Sequence, residues 1–169
     1  MERPGASEAA PYYFRYIDLV PSGDVLSVLE GQTRETVALL EPISEERSRH
    51  RYAPDKWSIR QVLSHVNDAE RVFASRALWF ARGFESPLPS FDQETSAAAA
   101  GADERAWASH VDEFQAVRAA TLALFRSLPP EAWARSGVAS GTPVTVKALA
   151  YIVAGHVFHH AAVLRERYA

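Results

Sequence analysis

Residues 151–163 read YIVAGHVFHHAAV, an apolar, proline-free stretch of helix length that carries three histidines. On a helix advancing by about 100° per residue, His156 and His160 stand one turn apart on one face. Leu149, Val153 and Leu164 share that face, so both imidazoles should point inward among core side chains. A third interior histidine, His65, lies in a second apolar helical run, SIRQVLSHVNDAERVF. An i,i+4 pair on one helix and a single histidine on its neighbour can set three nitrogens around one divalent metal. The alternative is a set of core histidines satisfied by hydrogen bonds.

The remaining segments read outward from this pair of helices. Ser58 and Gln61 fit a capping box, Trp57 and Val62 a hydrophobic staple, and Gly83 a helix stop. An earlier helix begins at Ser22 or Asp24 and is closed by Pro42, with Val25, Leu29, Thr36 and Leu40 facing inward. A third, capped by Asp103, carries Trp107, Phe114, Val117, Leu122 and Phe125 and stops at Pro129–Pro130. Thr145 caps the last. The expected helices are therefore 24–40, 58–82, 104–127 and 146–167, and with no strand-like alternation between them the fold class is all-α, a four-helix bundle. The whole chain, 1–169, reads as a single domain, with a small, polar flexible tail at 1–10 and a long loop at 84–102. Loops of that length are usually functional or disordered; Leu88 and Phe91 suggest that part of this one is tacked down, and it could form one wall of a pocket. The aromatic segment PYYFRYIDLVP should pack across the domain or against a partner.

Composition narrows the chemistry. The 169 residues are 47% hydrophobic and 23% charged, as in an ordinary globular domain. A net charge of −3 and a pI near 6.1 give no electrostatic case for nucleic acid. No apolar run approaches membrane-spanning length and no basic-then-apolar leader opens the chain, so a cytoplasmic protein is expected. The chain has no cysteine, which removes disulfides, thiolate ligands and a cysteine nucleophile. Two polar residues stand out of pattern. Glu70 falls between Val66 and Phe73 on the inner stripe, and Arg118 lies inward on the third helix. They pair with each other, or act at the site as catalytic groups together with Asp68, one turn from His65. His50 and His110 have no partner at ligand spacing and read as surface or boundary residues.

Taken together, YIDLVPSGDVLSVLEGQ, RYAPDKWSIRQVLSHVNDAERVF, LWFARG, PLPSFDQ, FQAVRAATLALF and VTVKALAYIVAGHVFHHAAVLRERY resemble, in order and spacing, the DinB-like superfamily. These are metal-binding four-helix bundles that include bacterial low-molecular-weight thiol S-transferases. The resemblance spans residues 12–168 and implies that the family's metal ligands fall on His65, His156 and His160. His159, offset from that face, would act in the second shell. Many relatives have an acid directly after the first histidine of the last helix. Here it is Val157, so no H-E-x-x-H protease arrangement forms and any base must come from Asp68, Glu70, Asp92 or the substrate.

Three neutral imidazoles leave a divalent ion its charge and an open position, unlike a closed structural zinc site. The family implies activation of a small thiol for transfer to an electrophile. The alternatives are a metal-dependent hydrolase and a non-catalytic metal-binding stress or interaction protein. A nitrogen-rich shell favours zinc or nickel, with iron or manganese possible, over magnesium and calcium. A homodimer is expected from spare apolar surface and from the resemblance, with a small-molecule substrate and neither nucleic acid nor membrane as partner.

Overall fold

The computed structural model describes residues 2–168, and Met1 and Ala169 lie outside the described residues. Six α-helices form among the described residues: α1 (Phe14–Ile17), α2 (Val25–Leu40), α3 (Ile59–Ala81), α4 (Gln93–Ala99), α5 (Trp107–Arg126) and α6 (Val146–Arg167). The four long ones make the expected bundle. α3 packs between α5 and α6, and α2 closes the ring against both. Short α1 lies across α6.

Local chemistry sets most of the boundaries. Asp24 accepts from the Ser27 amide, and Thr145 from that of Ala148 at 3.0 Å. Ser58 and Gln61 form the reciprocal capping box. The start of α5 differs from expectation. Asp103 does not cap it; its carboxylate takes the Ser58 hydroxyl and the Arg51 guanidinium, while residues 102–104 form a 3₁₀ turn. The helix starts at Trp107, whose amide donates to Glu45 Oε2 at 2.8 Å. A carboxylate from a distant loop thus satisfies a donor that a local cap would otherwise take.

A hairpin absent from the sequence reading joins α5 to α6. Strands β1 (Ser136–Ala139) and β2 (Thr142–Thr145) pair antiparallel across a two-residue turn, with Ser140 at φ 54° and Gly141 at φ 76°. Left-handed backbone at both positions is the turn that matches strand twist. The 84–102 segment is pinned to this hairpin, since the Leu88 amide donates to Val138 O and its carbonyl accepts from Ser140 N. The same segment contains α4, capped by Asp92. Residues 2–10, read as a tail, are also docked: Arg3 donates to the Ile17 and Val20 carbonyls, Ala9 is buried, and Glu8 O accepts from Thr145 N.

Two apolar cores fill the bundle. One gathers Ile17, Leu29, Phe80, Phe125, Leu149 and Ile152, the other Leu40, Ile59, Leu63, Trp107, Phe114 and Leu164. Between them each long helix contributes a buried polar side chain: Gln32, Glu70, Arg118 and His156. α6 is buried on nearly every face from Val146 to Val157, which marks the central helix of a globular core. It is long and apolar enough to cross a membrane by length and composition, contrary to the sequence expectation, but 67% of that span is buried inside the protein.

Candidate metal centre

Two helices place the three histidines. His65 sits on the buried face of α3, one turn after the Gln61 of its capping box, and His156 and His160 follow one another by a turn on α6. Their Nε2 atoms converge: His65 to His156 is 3.1 Å and His160 to His156 is 3.2 Å, with all three ligand atoms within 4.8 Å of one another. Two imidazole nitrogens bound to one zinc ion at a tetrahedral angle stand roughly 3.3 Å apart. The spacing suits a shared ion.

Hydrogen bonding alone serves this cluster poorly. A single proton on His156 Nε2 can satisfy one neighbour and not both. The Nδ1 atoms of His65 and His160 are buried and reach no acceptor or donor among the described residues. A shared cation gives all three Nε2 lone pairs a partner at once. His65 and His156 are 6% and 5% exposed, and His160 is half-buried. Burial pushes the His65 imidazole down to about 4 and His160 down to about 3. His156 is held well below its ordinary value by burial and then by the neighbouring rings. All three are neutral at pH 7, the state a metal ligand requires.

The aromatic N-terminal segment turns out to wall this site. Gly155 allows it: a Cβ there would stand 2.0 Å from the Tyr16 carbonyl oxygen, so only glycine lets α1 rest directly on α6. That contact sets the Tyr16 ring edge-on to both His156 and His159. Burial, with Tyr12 beside it, pushes the Tyr16 phenol up to about 12. Phe73 covers the other side of His156, and Trp57 lies against His65. Two openings reach the cluster. A cavity of about 110 Å³ runs from His65 and His156 past Tyr13 and Phe91 to Arg76. A wider groove of about 320 Å³ exposes His160 and His159 between Trp57 and Tyr168. Gln93, the first residue of α4, borders both.

The remaining candidates fall elsewhere. Arg118 donates to both oxygens of Glu70, at 2.8 and 2.9 Å, and also to Gln32 Oε1 and Leu29 O. Neither residue lines an opening onto the histidines. Glu70 is thus buried against Arg118, one of the two places expected for it, and both its oxygens are taken. Asp68 accepts from Ser96 Oγ at 3.1 Å, tying α3 to α4, and Arg71 approaches it at 3.5 Å. His159 touches His160 and Tyr16 by ring contact and gives the other histidines no hydrogen bond. Asp92 is occupied as the α4 cap. His110, read as a surface or boundary residue, is fully buried and bonded to Ala102 O. The sequence reading missed Arg76 and Gln93, and it left Tyr16 without an assigned contact. The period of α3 carried a signal for Arg76, since His65, Ala69, Val72 and Arg76 recur along one stripe.

The model of the DinB superfamily matches residues 29–164. Among solved structures, YfiT from Bacillus subtilis, described as a probable metal-dependent hydrolase with an unusual four-helix bundle topology, superposes with a TM-score of 0.72. It is 17% identical, and the match covers 98% of this chain and 90% of that one. The mycothiol-dependent maleylpyruvate isomerase superposes with a TM-score of 0.71 at 16% identity. That match covers 86% of this chain and 61% of the isomerase. These likenesses establish the shared fold. No curated protein matches the sequence with significance.

Proposed function

Since the chain belongs to the DinB superfamily, we propose that it is a metal-dependent enzyme that activates a small thiol for transfer to an electrophile. The observation that carries this reading is the convergence of three neutral histidines beside a cavity, with the His156 Nε2 at 3.1 and 3.2 Å from those of His65 and His160. His65, His156 and His160 would hold one divalent transition ion, zinc or nickel before iron or manganese. When bound, such an ion supplies positive charge that favours the ionised form of a thiol or of water. The chain's own residues do the rest. Tyr16 and Phe73 fix the His156 ring from two sides and keep bulk water off it. Asp68 acts as a positioning residue by holding α4, and with it Gln93, at the edge of the site. Glu70 and Arg118 hold the helices in register and take no proton from substrate. With no cysteine in the chain, the thiol comes from outside, as in the mycothiol-dependent neighbour.

The test is turnover by protein purified without chelator and loaded with one equivalent of zinc or nickel. Conjugation of cysteine or a comparable small thiol to 1-chloro-2,4-dinitrobenzene should exceed the rate with metal-free protein and with His156→Ala. A hydrolase is the second reading, favoured by the match to YfiT over nearly its whole length. Metal-dependent hydrolysis of p-nitrophenyl acetate without thiol stimulation would select it. Neither activity, with metal bound, would leave a non-catalytic binder. A homodimer remains part of the proposal, with the open groove of Ala74, Leu78, Ala120 and Leu124 between α3 and α5 as its surface. A monomer mass at micromolar concentration would remove it.

A further inference from the structure

Arg60, Arg76 and Arg118 are the buried arginines among the described residues, and two of them face acids. Arg118 holds Glu70, and Arg60 holds Glu45. Arg76 is 5% exposed and has no carboxylate within ion-pair distance among the described residues. Its Nη2 donates to Pro89 O at 2.8 Å and to Ser140 Oγ at 3.1 Å. Its Nε and Nη1 groups donate to no protein acceptor there. A buried guanidinium without a counter-charge is costly, so the fold elsewhere supplies one.

The place of Arg76 suggests what answers it. It stands three turns after His65 on the same stripe of α3, about 16 Å along the axis by helix rise. Both line the cavity that ends at His156. Among the described residues, no Asp or Glu lines that cavity. With an ion held by three neutral histidines, it would contain the positive charges of ion and guanidinium and no protein anion. The guanidinium is also held in place. Pro89 belongs to the segment pinned to the hairpin, and Ser140 occupies a left-handed turn position where its hydroxyl meets Nη2. An arginine immobilised with donors left over is organised for a ligand.

We propose that Arg76 is a binding residue for a carboxylate carried by the substrate, so that a small organic acid spans the cavity with its reacting group toward the histidines. This rests on the metal reading for its second anchor only. The Arg76 anchor is testable without metal.

In metal-free protein, the Arg76 Nε–H resonance, assigned by its loss in Arg76→Gln, should shift saturably with butanoate and not with butanamide. No saturable shift overturns the proposal whatever the metal does. A shift as strong with inorganic phosphate overturns the carboxylate assignment. In cobalt-loaded protein, thiolate-to-cobalt absorption reads binding of ω-mercapto acids from mercaptoacetate to 6-mercaptohexanoate against their amides. At least one acid should bind tenfold or more tightly than its amide. Arg76→Lys should keep part of that preference and Arg76→Gln none, with amide affinity unchanged. Equal affinities for acid and amide at every length, or a preference that survives in Arg76→Gln, refute two-point binding. Failure of cobalt to bind instead refutes the metal reading, and the butanoate titration still decides Arg76.

Discussion

Arg118 closes on both carboxylate oxygens of Glu70 in the waist of the bundle, with the two side chains 0% and 2% exposed. The same guanidinium takes Gln32, whose amide donates to Ala154 O at 2.8 Å, so one network joins all four long helices. Removing one partner strands a buried charge, which costs about 3–5 kcal/mol. Glu70→Gln should therefore lower the unfolding free energy by that order, read as a lower denaturant midpoint, while leaving metal affinity near the parent value. Replacing both, as Glu70→Leu with Arg118→Met, should recover much of the loss. Equal loss of metal binding in Glu70→Gln, measured below its unfolding transition, would instead give Glu70 a role at the histidines.

Gly155→Ala probes the contact that seats Tyr16. The new Cβ would meet the Tyr16 backbone at 2.0 Å, and a backbone cannot swing aside as a side chain does. Overpacking of this kind costs about 1–3 kcal/mol, and the tyrosine signal in near-ultraviolet circular dichroism should change. Gly31→Ala, on α2 with nothing within 4 Å of its Cβ, is the control. It should stabilise by about 0.4–1 kcal/mol.

His110 gives a pH dependence separate from the metal centre. Its Nε2 donates to Ala102 O at 2.9 Å, which leaves Nδ1 as a bare, buried acceptor with no partner among the described residues. Protonation would place an unanswered N–H there. Burial lowers its pKa from 6.5, the Ala102 carbonyl and Glu113 pull it up, and Arg105 and Arg60 push it down. A lowered folded value means that its contribution is complete above pH 6.5. It is lost as the pH falls through the folded value, because the unfolded chain binds the proton first. Unfolding of parent and His110→Gln between pH 7.5 and 5 should show a shallower acid loss in the variant. Parallel curves would contradict this.

The order of long helices was readable because each carries a cap and an apolar stripe of period 3.6. His156 and His160 could be placed on one face from spacing and His65 beside the inner stripe of its helix, while the choice of these three as a ligand set leaned on the family resemblance, since His110 is buried as well. What stayed hidden was set by contacts distant in sequence. Glu45 caps α5 from 62 residues away, so Asp103 looked like the cap. The hairpin was missed because four-residue strands that contain Gly137 and Pro143 show no alternation; Gly137 is there because a Cβ would strike the Phe80 ring. Arg76 was overlooked because an arginine on a helix flank normally snorkels to water. The segment through Pro89 and the hairpin turn at Ser140 enclose it instead.

Calorimetric titration of chelator-stripped protein with zinc tests the metal centre most directly. One equivalent should bind the parent, affinity should fall at least tenfold in His65→Ala, His156→Ala and His160→Ala, and His159→Ala should change it little. The parent should also gain thermal stability with zinc, through binding to the folded state alone, and His156→Ala should gain none. Zinc binding that is absent in the parent, or equally tight in the three alanine variants, would contradict the account.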